Sequence, residues 1–108
     1  MKLEPKYKLW LETEDGYVFG EGPLELLQGI QEKGTLAASA KKINMSYRHA
    51  WGMIREIEEK LENPVLVTYK GGKDGGGGSK LTINGMKLLE TFLKLRNAFD
   101  QVISDIHL

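Results

Sequence analysis

The sequence predicts an α+β fold, mainly α, in a single domain of 108 residues. Three observations predict it. Apolar residues recur at spacings of three and four in four segments, residues near the N-terminus alternate around an Asp-Gly turn, and a glycine-rich loop separates two later β-prone runs. A chain of this length suffices for one modest core but not for a separate catalytic domain. We divide residues 1–108 into an N-terminal hairpin, a core motif with a second hairpin at 21–83, and a terminal helix at 84–108.

The first part of the chain is predicted to form a hairpin and then a helix. Tyr7, Leu9 and Leu11 alternate with polar Lys8 and Glu12, although Trp10 breaks the strict alternation. Asp15-Gly16 follows, a dipeptide that tolerates the positive φ of a tight turn. Gly22-Pro23 predicts a helix start, because proline suits the first helical position. The helix is expected to end at Gly34. Its apolar stripe consists of Leu24, Leu27 and Ile30.

Two short helices follow, and each begins with a hydroxyl residue that can cap it. Thr35 caps the first helix and Ser46 the second. Their core positions are Leu36, Ala40 and Ile43 in the first helix, and Ala50, Ile54, Ile57 and Leu61 in the second. At about 100° per residue, the opposite face of the second helix carries Arg48, Gly52, Arg55 and Glu59. Two helices separated by Asn44-Met45-Ser46 describe a helix-turn-helix.

The first turns of the second helix contain the residues expected to meet a partner. We expect Trp51 to be buried, because an aromatic residue beside an apolar stripe more often belongs to the core. We expect Tyr47 and Arg48 to make contacts, since this turn enters the major groove in helix-turn-helix proteins and arginine commonly reads guanine. Gly52 costs about 1 kcal/mol of helix stability relative to alanine. Close approach of a DNA backbone would explain a glycine here. A position at which glycine has no functional effect would explain it equally well.

A second hairpin is predicted from Val65 to Tyr69 and from Lys80 to Ile83. Six of the ten residues in its loop, Lys70 to Ser79, are glycine. The loop lacks the P-loop motif, because Gly72-Lys73 is followed by Asp74 and no glycine stands five residues before Gly72. An engineered glycine-serine linker from Gly75 to Ser79 is conceivable but not expected between two short strands. The pattern favours a flexible wing tip that settles on the DNA backbone through Lys70, Lys73 and Lys80.

The last segment predicts one helix of about 23 residues, roughly 35 Å long, that begins at Asn84 as its cap. Its apolar residues repeat with heptad spacing and form a seam of Leu88, Phe92, Leu95, Phe99, Val102 and Ile106. Packing on its own domain accounts for the first half of the helix, but a helix this long extends beyond a small domain. We therefore expect a two-fold homodimer through this seam. The alternative is a single helix folded back on its own hairpin.

The net charge is zero, but the charges are separated along the chain. Residues 35–55 carry four cations and no acid, and residues 63–87 carry four cations against Asp74 alone, giving +4 and +3. Ordinary solvated surface also produces such runs. Here, however, both basic stretches coincide with the two elements that a winged helix presents to DNA. The predicted DNA-binding residues are Lys41, Lys42, Ser46, Tyr47, Arg48, Gly52, Arg55, Lys70, Lys73 and Lys80.

Other function classes find little support in the sequence. There is no cysteine, and His49 and His107 cannot by themselves form a metal site, so we expect neither a metal nor a cofactor. No nucleophile motif is present, which argues against an enzyme. No window approaches the roughly 18 consecutive apolar residues of a membrane span. We expect no membrane association and a cytoplasmic, nucleoid-associated location.

Three strings of residues carry a family resemblance. They are Gly34-Thr35-Leu36-Ala37-Ala38-Ser39-Ala40-Lys41, Met45-Ser46-Tyr47-Arg48-His49-Ala50-Trp51, and Gly71-Gly72-Lys73-Asp74-Gly75-Gly76-Gly77-Gly78 leading into Leu81-Thr82 and Gly85. On these residues, from about Pro23 to Leu95, the chain resembles the N-terminal DNA-binding domain of the molybdate-responsive ModE regulators, which is related to the LysR-type winged helix. The resemblance implies that Ser46, Tyr47 and Arg48 lie at the groove and that the terminal helix joins two subunits.

ModE proteins also carry C-terminal molybdate-binding domains, for which 108 residues leave no room. We therefore expect no molybdate sensing by this chain and no effector domain. Asp74 is a further departure, because it places an acid in the wing where phosphate contact is expected.

The leading hypothesis is a dimeric, sequence-specific transcriptional regulator that binds a palindromic site in duplex DNA. Tyr47 and Arg48 would read bases, and the lysines of the second hairpin would anchor the wing. Ser46, Lys41, Lys42 and Arg55 would contact phosphate. Two alternatives stay open: an architectural protein that binds DNA without reading its sequence, and a protein-interaction module that uses the winged helix as a scaffold.

Overall fold

The computed structural model describes residues 2–71 and 77–106. In chain order, its elements are β1 Leu11–Thr13, β2 Gly16–Phe19, α1 Glu21–Lys33, α2 Leu36–Lys42, α3 Tyr47–Leu61, β3 Leu66–Tyr69, β4 Gly78–Leu81 and α4 Ile83–Asp105. β1 pairs with β2, and β3 pairs with β4, each antiparallel. The predicted mainly helical α+β fold is confirmed. Residues 72–76 of the predicted wing loop, which include Lys73 and Asp74, lie outside the described residues, as does His107.

The first hairpin is shorter than predicted. Its first strand begins at Leu11 rather than Tyr7, and the pairing register shifts between Leu11 and Glu12. The residues before Leu11 lie outside the ladder, and Tyr7 packs against α4. The Tyr7 ring lies 5.7 Å from the Phe99 ring, and its hydroxyl donates to the Asp100 carboxylate. That hydrogen bond is the main reason why the pKa of the Tyr7 phenol is raised.

Helix α1 begins two residues earlier than predicted. Gly20 precedes its first residue with extended backbone, so Pro23 occupies the third helical position and not the first. This is tolerated because the first four N–H groups of a helix have no partner within it, and proline therefore forfeits no hydrogen bond there. The predicted end is confirmed: Gly34 has φ of 84°, and its N–H donates to Ile30 O at 2.8 Å.

Both predicted caps of the helix-turn-helix are confirmed. The Thr35 hydroxyl accepts from the Ala38 N–H at 3.0 Å, and the Ser46 hydroxyl accepts from the His49 N–H at 3.0 Å. Between the helices Asn44 adopts a left-handed conformation with φ of 60°. This conformation reverses the chain so that α3 starts in a new direction.

The second hairpin and α4 begin and end at other residues than predicted. β4 begins at Gly78 rather than Lys80, so Gly78 and Ser79 belong to the strand and not to the loop. β4 ends at Leu81, and Ile83 is the first residue of α4 rather than the last of a strand. The cap of α4 is Thr82 and not Asn84. The Thr82 hydroxyl accepts from the Gly85 N–H at 3.0 Å and donates to Pro64 O at 2.7 Å. Either Thr82 or Asn84 could cap the helix locally. The second bond, to Pro64, which is distant in sequence, favours Thr82.

The core lies where α1, α2 and α3 meet β2, the second hairpin and the first half of α4. Phe19 and Phe92 are both fully buried and pack edge to face, with ring centroids 5.4 Å apart. Ser39 is a polar residue with no exposed surface, and its hydroxyl donates to Leu26 O at 2.7 Å. These contacts tie the terminal helix and the helix-turn-helix into one core.

Candidate nucleic-acid interface

Helix α3 separates a buried face from an exposed one as its periodicity predicts. Ala50, Ile54 and Ile57 have at most 2% of their surface exposed. The opposite face presents Arg48, Gly52, Arg55 and Glu59, all of which are exposed. An exposed helix face at this position of a helix-turn-helix is the surface that enters a major groove.

The two aromatic residues of α3 differ in exposure, and Trp51 is less buried than predicted. Tyr47 is 53% exposed, whereas Trp51 is half-buried and packs against the core. Their rings meet edge to face at 6.3 Å with an interplanar angle of 89°. Because Trp51 is held by the core, this contact orients the Tyr47 ring in the first turn of the helix.

The predicted phosphate contacts on the helix-turn-helix are not equivalent. Lys41 and Arg55 are exposed. The Ser46 hydroxyl accepts the His49 N–H, which leaves its own hydrogen available to donate to a phosphate oxygen. Lys42 instead forms an ion pair with Glu32 on α1 and lowers the pKa of that carboxyl group. Its charge is directed toward α1, so we leave Lys42 out of the interface.

Gly52 stands over open space, because a Cβ built at this position meets no atom within 4 Å. It lies at the edge of a cavity of about 210 Å³ between α3, β2 and the start of α1, which His49, Met53 and Glu56 also line. The helix therefore has room for an approaching surface at Gly52. Whether that room is used is tested by the Gly52→Ala variant described in the Discussion.

We use the term wing for strands β3 and β4 together with their connecting loop, residues 66–81. Lys70 and Lys80 are exposed, whereas Lys73 lies outside the described residues. Val67 pairs with Lys80, and Tyr69 pairs with Gly78. The side chains of Val67, Tyr69 and Lys80 therefore lie on the face opposite Leu66 and Leu81, which are buried.

Tyr69 is a candidate contact that the sequence reading missed. It is 54% exposed and precedes Lys70 at the end of β3. The signal that could have identified it is the two-residue period of a strand, which places Tyr69 and Val67 on the face opposite Leu66. An exposed aromatic residue next to a lysine on a wing is suited to contact a sugar-phosphate backbone.

Two polar side chains join the wing to the helix-turn-helix, and neither was predicted. The Glu58 carboxylate on α3 accepts the N–H groups of Val65 and Leu66 at the start of β3. On β4, the buried Ser79 bonds to the segment between α1 and α2. Only the folded chain brings these groups together, because the partners of Ser79 are more than 40 residues away in sequence.

The predicted dimer seam divides into two parts in the structure. Phe92 has no exposed surface, so it belongs to the domain's own core and is removed from the predicted interface. Leu88 is half-buried and packs against the same core. Exposure then rises toward the C-terminus, from 36% at Leu95 to 47%, 55% and 65% at the next three positions. We call these four residues the exposed strip: Leu95, Phe99, Val102 and Ile106.

The alternative of a helix folded back on its own hairpin is realised only in part. Tyr7 packs on Phe99, and the Arg96 guanidinium forms an ion pair with Glu21 at 3.1 Å. These contacts cover the middle of α4 and leave the exposed strip largely open. The described residues extend 61 Å along the longest axis, because α4 continues beyond the domain.

Within residues 2–71 and 77–106, no group of three or more histidine or acidic side chains is arranged to hold a metal ion. In the same part of the chain, no helix is both long and apolar enough to cross a lipid bilayer.

An N-terminal hairpin, a capped helix-turn-helix, a two-stranded wing and a long terminal helix define a winged helix-turn-helix protein. Solved structures agree with this assignment. The G34K mutant of Staphylococcus aureus MepR matches with a TM-score of 0.60 at 24% identity, covering 80% of this chain and 63% of that one. A complex of S. aureus MepR with DNA matches with a TM-score of 0.54 at 24% identity, covering 80% and 61%. At these identities the likeness shows the fold alone.

Sequence relatives carry more specific names. The chain is 36% identical over 86 residues to the DNA-binding transcriptional dual regulator ModE of Escherichia coli K12, covering 76% of this chain and 32% of that protein. It is 34% identical over 77 residues to the molybdenum-pterin-binding protein MopB of Rhodobacter capsulatus, covering 71% and 28%. Identity to the molybdenum transport protein ModE of Azotobacter vinelandii is 26% over 96 residues, covering 89% and 35%.

The chain thus spans about a third of the length of these curated relatives. No protein-family model matches it. The resemblance to ModE regulators therefore rests on sequence relatives that bear that name and align with most of this chain.

Proposed function

We propose that this chain is a ModE-type, sequence-specific transcriptional regulator that binds duplex DNA as a homodimer. The observation that carries the proposal is the exposed face of α3, which starts with Tyr47 and Arg48 in the capped first turn and lies opposite the core. The names of the relatives and the DNA complex of a protein with the same fold support it. Molybdenum chemistry stays outside the proposal, since the match covers about a third of those relatives.

The proposed contacts divide by chemistry. Arg48 offers a planar guanidinium for bidentate contact with guanine, and Tyr47 lies beside it. Lys41 and Arg55 supply charge for phosphates on either side of that turn, and Ser46 supplies a hydroxyl donor. The wing adds further phosphate contacts through Lys70, Lys73 and Lys80.

The proposed dimer uses the exposed strip of α4. Four large apolar residues at heptad spacing form a face that a second copy of the same helix can cover. A two-fold axis there would place two copies of α3 in successive major grooves, about 34 Å apart. The expected target is therefore a palindromic site.

Selection of bound sequences from a pool of random duplex DNA at near-physiological salt tests the proposal. Enrichment of a two-fold symmetric motif supports a sequence-specific dimer. Binding without enrichment would replace it with an architectural role. Absence of binding would contradict DNA recognition and favour a protein-interaction module.

Replacing Arg48 with alanine should relax sequence preference, because a bidentate base contact is worth about 1–3 kcal/mol of discrimination. Replacing Lys80 with alanine should weaken binding to specific and to random DNA by the same factor. It should also reduce the slope of log K against log salt concentration by about one, since one phosphate contact is lost. Fluorescence anisotropy titrations of both DNAs at several salt concentrations measure these effects. Equal losses on both DNAs for both variants would contradict this division of roles.

The Val102→Lys variant should be monomeric, because it places a charge in the middle of the exposed strip without disturbing the core. Val102 is 55% exposed in the single chain, so the fold should be retained. Ser104→Lys is the matched control, since it adds the same charge to an exposed position of α4 outside the strip. Sedimentation equilibrium should give a dimer for wild type and the control. A monomeric wild type at micromolar concentration would disprove the dimer.

A further inference from the structure

The start of the wing is held by α3. The Glu58 side chain, half-buried on α3, accepts the Val65 N–H at 2.8 Å and the Leu66 N–H at 3.3 Å through the same oxygen. Glu58 lies ten residues after Arg48 on the same rigid helix. The direction in which β3 leaves the core is therefore tied to the helix that carries the proposed base contacts.

The other strand is held at the junction of α1 and α2. The Ser79 N–H donates to Gly34 O at 2.8 Å, and the Ser79 hydroxyl accepts the Leu36 N–H at 3.4 Å. Ser79 is only 7% exposed, so these bonds are shielded from water. Thr68, its partner across the ladder, is exposed and belongs to the strand that Glu58 holds.

Such attachments matter because a two-stranded hairpin is at best marginally stable on its own in water. The orientation of the wing must then come from its contacts with the rest of the domain. β3 and β4 each have one polar attachment, and the attachments connect to different helices of the helix-turn-helix. Together they connect both strands of the wing to the helix-turn-helix.

We propose that Glu58 and Ser79 are positioning residues that hold the wing at the spacing from α3 required for simultaneous contact with DNA. Neither residue touches DNA in this proposal. They act by keeping Lys80 and its neighbours where the phosphates lie when α3 occupies the groove. This inference rests on the proposed function and names the part of the chain that coordinates its two contact surfaces.

The test is a double-mutant comparison of salt dependence. In wild type, Lys80→Ala should reduce the slope of log K against log salt concentration by about one. In the Glu58→Ala and Ser79→Ala backgrounds, the same Lys80 change should reduce the slope by clearly less than one, because the lysine is no longer held at its phosphate. Such non-additivity is expected only for residues that act together.

Matched controls separate positioning from charge and from general destabilisation. Glu59→Ala removes the same charge from an exposed neighbour on α3, and Thr68→Ala changes the residue opposite Ser79. In both controls Lys80→Ala should keep its full effect. If Lys80→Ala has the same effect in the Glu58 and Ser79 backgrounds as in wild type, the positioning role is overturned.

A second measurement addresses the attachments without DNA. Amide hydrogen exchange by NMR should be faster at Val65 and Leu66 in Glu58→Ala, and at Leu36 in Ser79→Ala, while the α3 core amides stay protected. Unchanged exchange at these amides would overturn the proposal even if DNA binding is observed. If the amide exchange changes as expected but the wild-type protein does not bind DNA, the proposed function is contradicted instead. Circular dichroism of each variant confirms that the comparison is made on folded protein.

Discussion

The Phe92→Ala variant is expected to lose about 3–5 kcal/mol of unfolding free energy, the cost of truncating a fully buried phenylalanine. Phe92 has no exposed surface and meets Phe19 edge to face at 5.4 Å, so truncation leaves a cavity between α4 and the N-terminal hairpin. Small domains have a total stability of about 5–15 kcal/mol, so this loss is a large fraction of it. Urea denaturation followed by circular dichroism measures it.

Phe99→Ala is the matched control, because it is the same change one heptad further along α4. Phe99 is 47% exposed in the single chain and contacts Tyr7 at its edge. Truncating Phe99 should lower the unfolding free energy much less than truncating Phe92. Both variants should be compared at a concentration where sedimentation shows monomer, so that a dimer does not contribute. Equal losses would contradict the assignment of Phe92 to the core and Phe99 to the surface.

The Gly29→Ala variant is expected to lose about 1–3 kcal/mol of stability, the usual cost of overpacking a core. A Cβ at this position would lie 2.1 Å from the Ser39 hydroxyl oxygen, 2.9 Å from Ser39 Cβ and 3.3 Å from Ser39 Cα. The hydroxyl cannot turn away freely, because it donates to Leu26 O in a fully buried site. The strain exceeds the helix-propensity gain of about 1 kcal/mol that alanine offers over glycine. Thermal and urea unfolding of the variant measure the net effect.

Gly52→Ala makes the same change in another helix interior, where nothing lies within 4 Å of the new atom. It should therefore raise stability by about 1 kcal/mol, so the two variants should differ in sign. Stabilisation by Gly29→Ala would show that α1 and α2 do not pack as described. DNA titration of Gly52→Ala adds a second result. Weaker binding despite higher stability would indicate close approach of DNA at Gly52. Unchanged binding would indicate that glycine is not required there for binding.

Local signals predicted most of the fold. Thr35 and Ser46 were identified as caps from residue type and the apolar pattern that follows them, because capping involves atoms only three residues apart. The end of α1 at Gly34 was predicted for a similar reason, since its positive φ is a property of that one residue. The exposed face of α3 followed from helical periodicity alone.

The errors occurred where distant residues compete. Thr82 and Asn84 are both competent caps, and only the bond from Thr82 to Pro64 O distinguishes them. Heptad spacing placed Phe92 and Phe99 in one seam, although the domain covers the first and leaves the second exposed. Lys42 is predicted to contact phosphate, and the structure pairs it with Glu32, ten residues away on another helix.

The sequence by itself therefore determined the order of helices and strands, the caps of α2 and α3, and the face of α3 that carries Arg48 and Arg55. These properties depend on backbone preferences and on apolar spacing within a few residues. Only the tertiary structure decided where α4 leaves the core and which charges pair within the chain. It also decided how Glu58 and Ser79 attach the wing. Those outcomes depend on which groups far apart in sequence become neighbours when the core excludes water, and no local pattern encodes that.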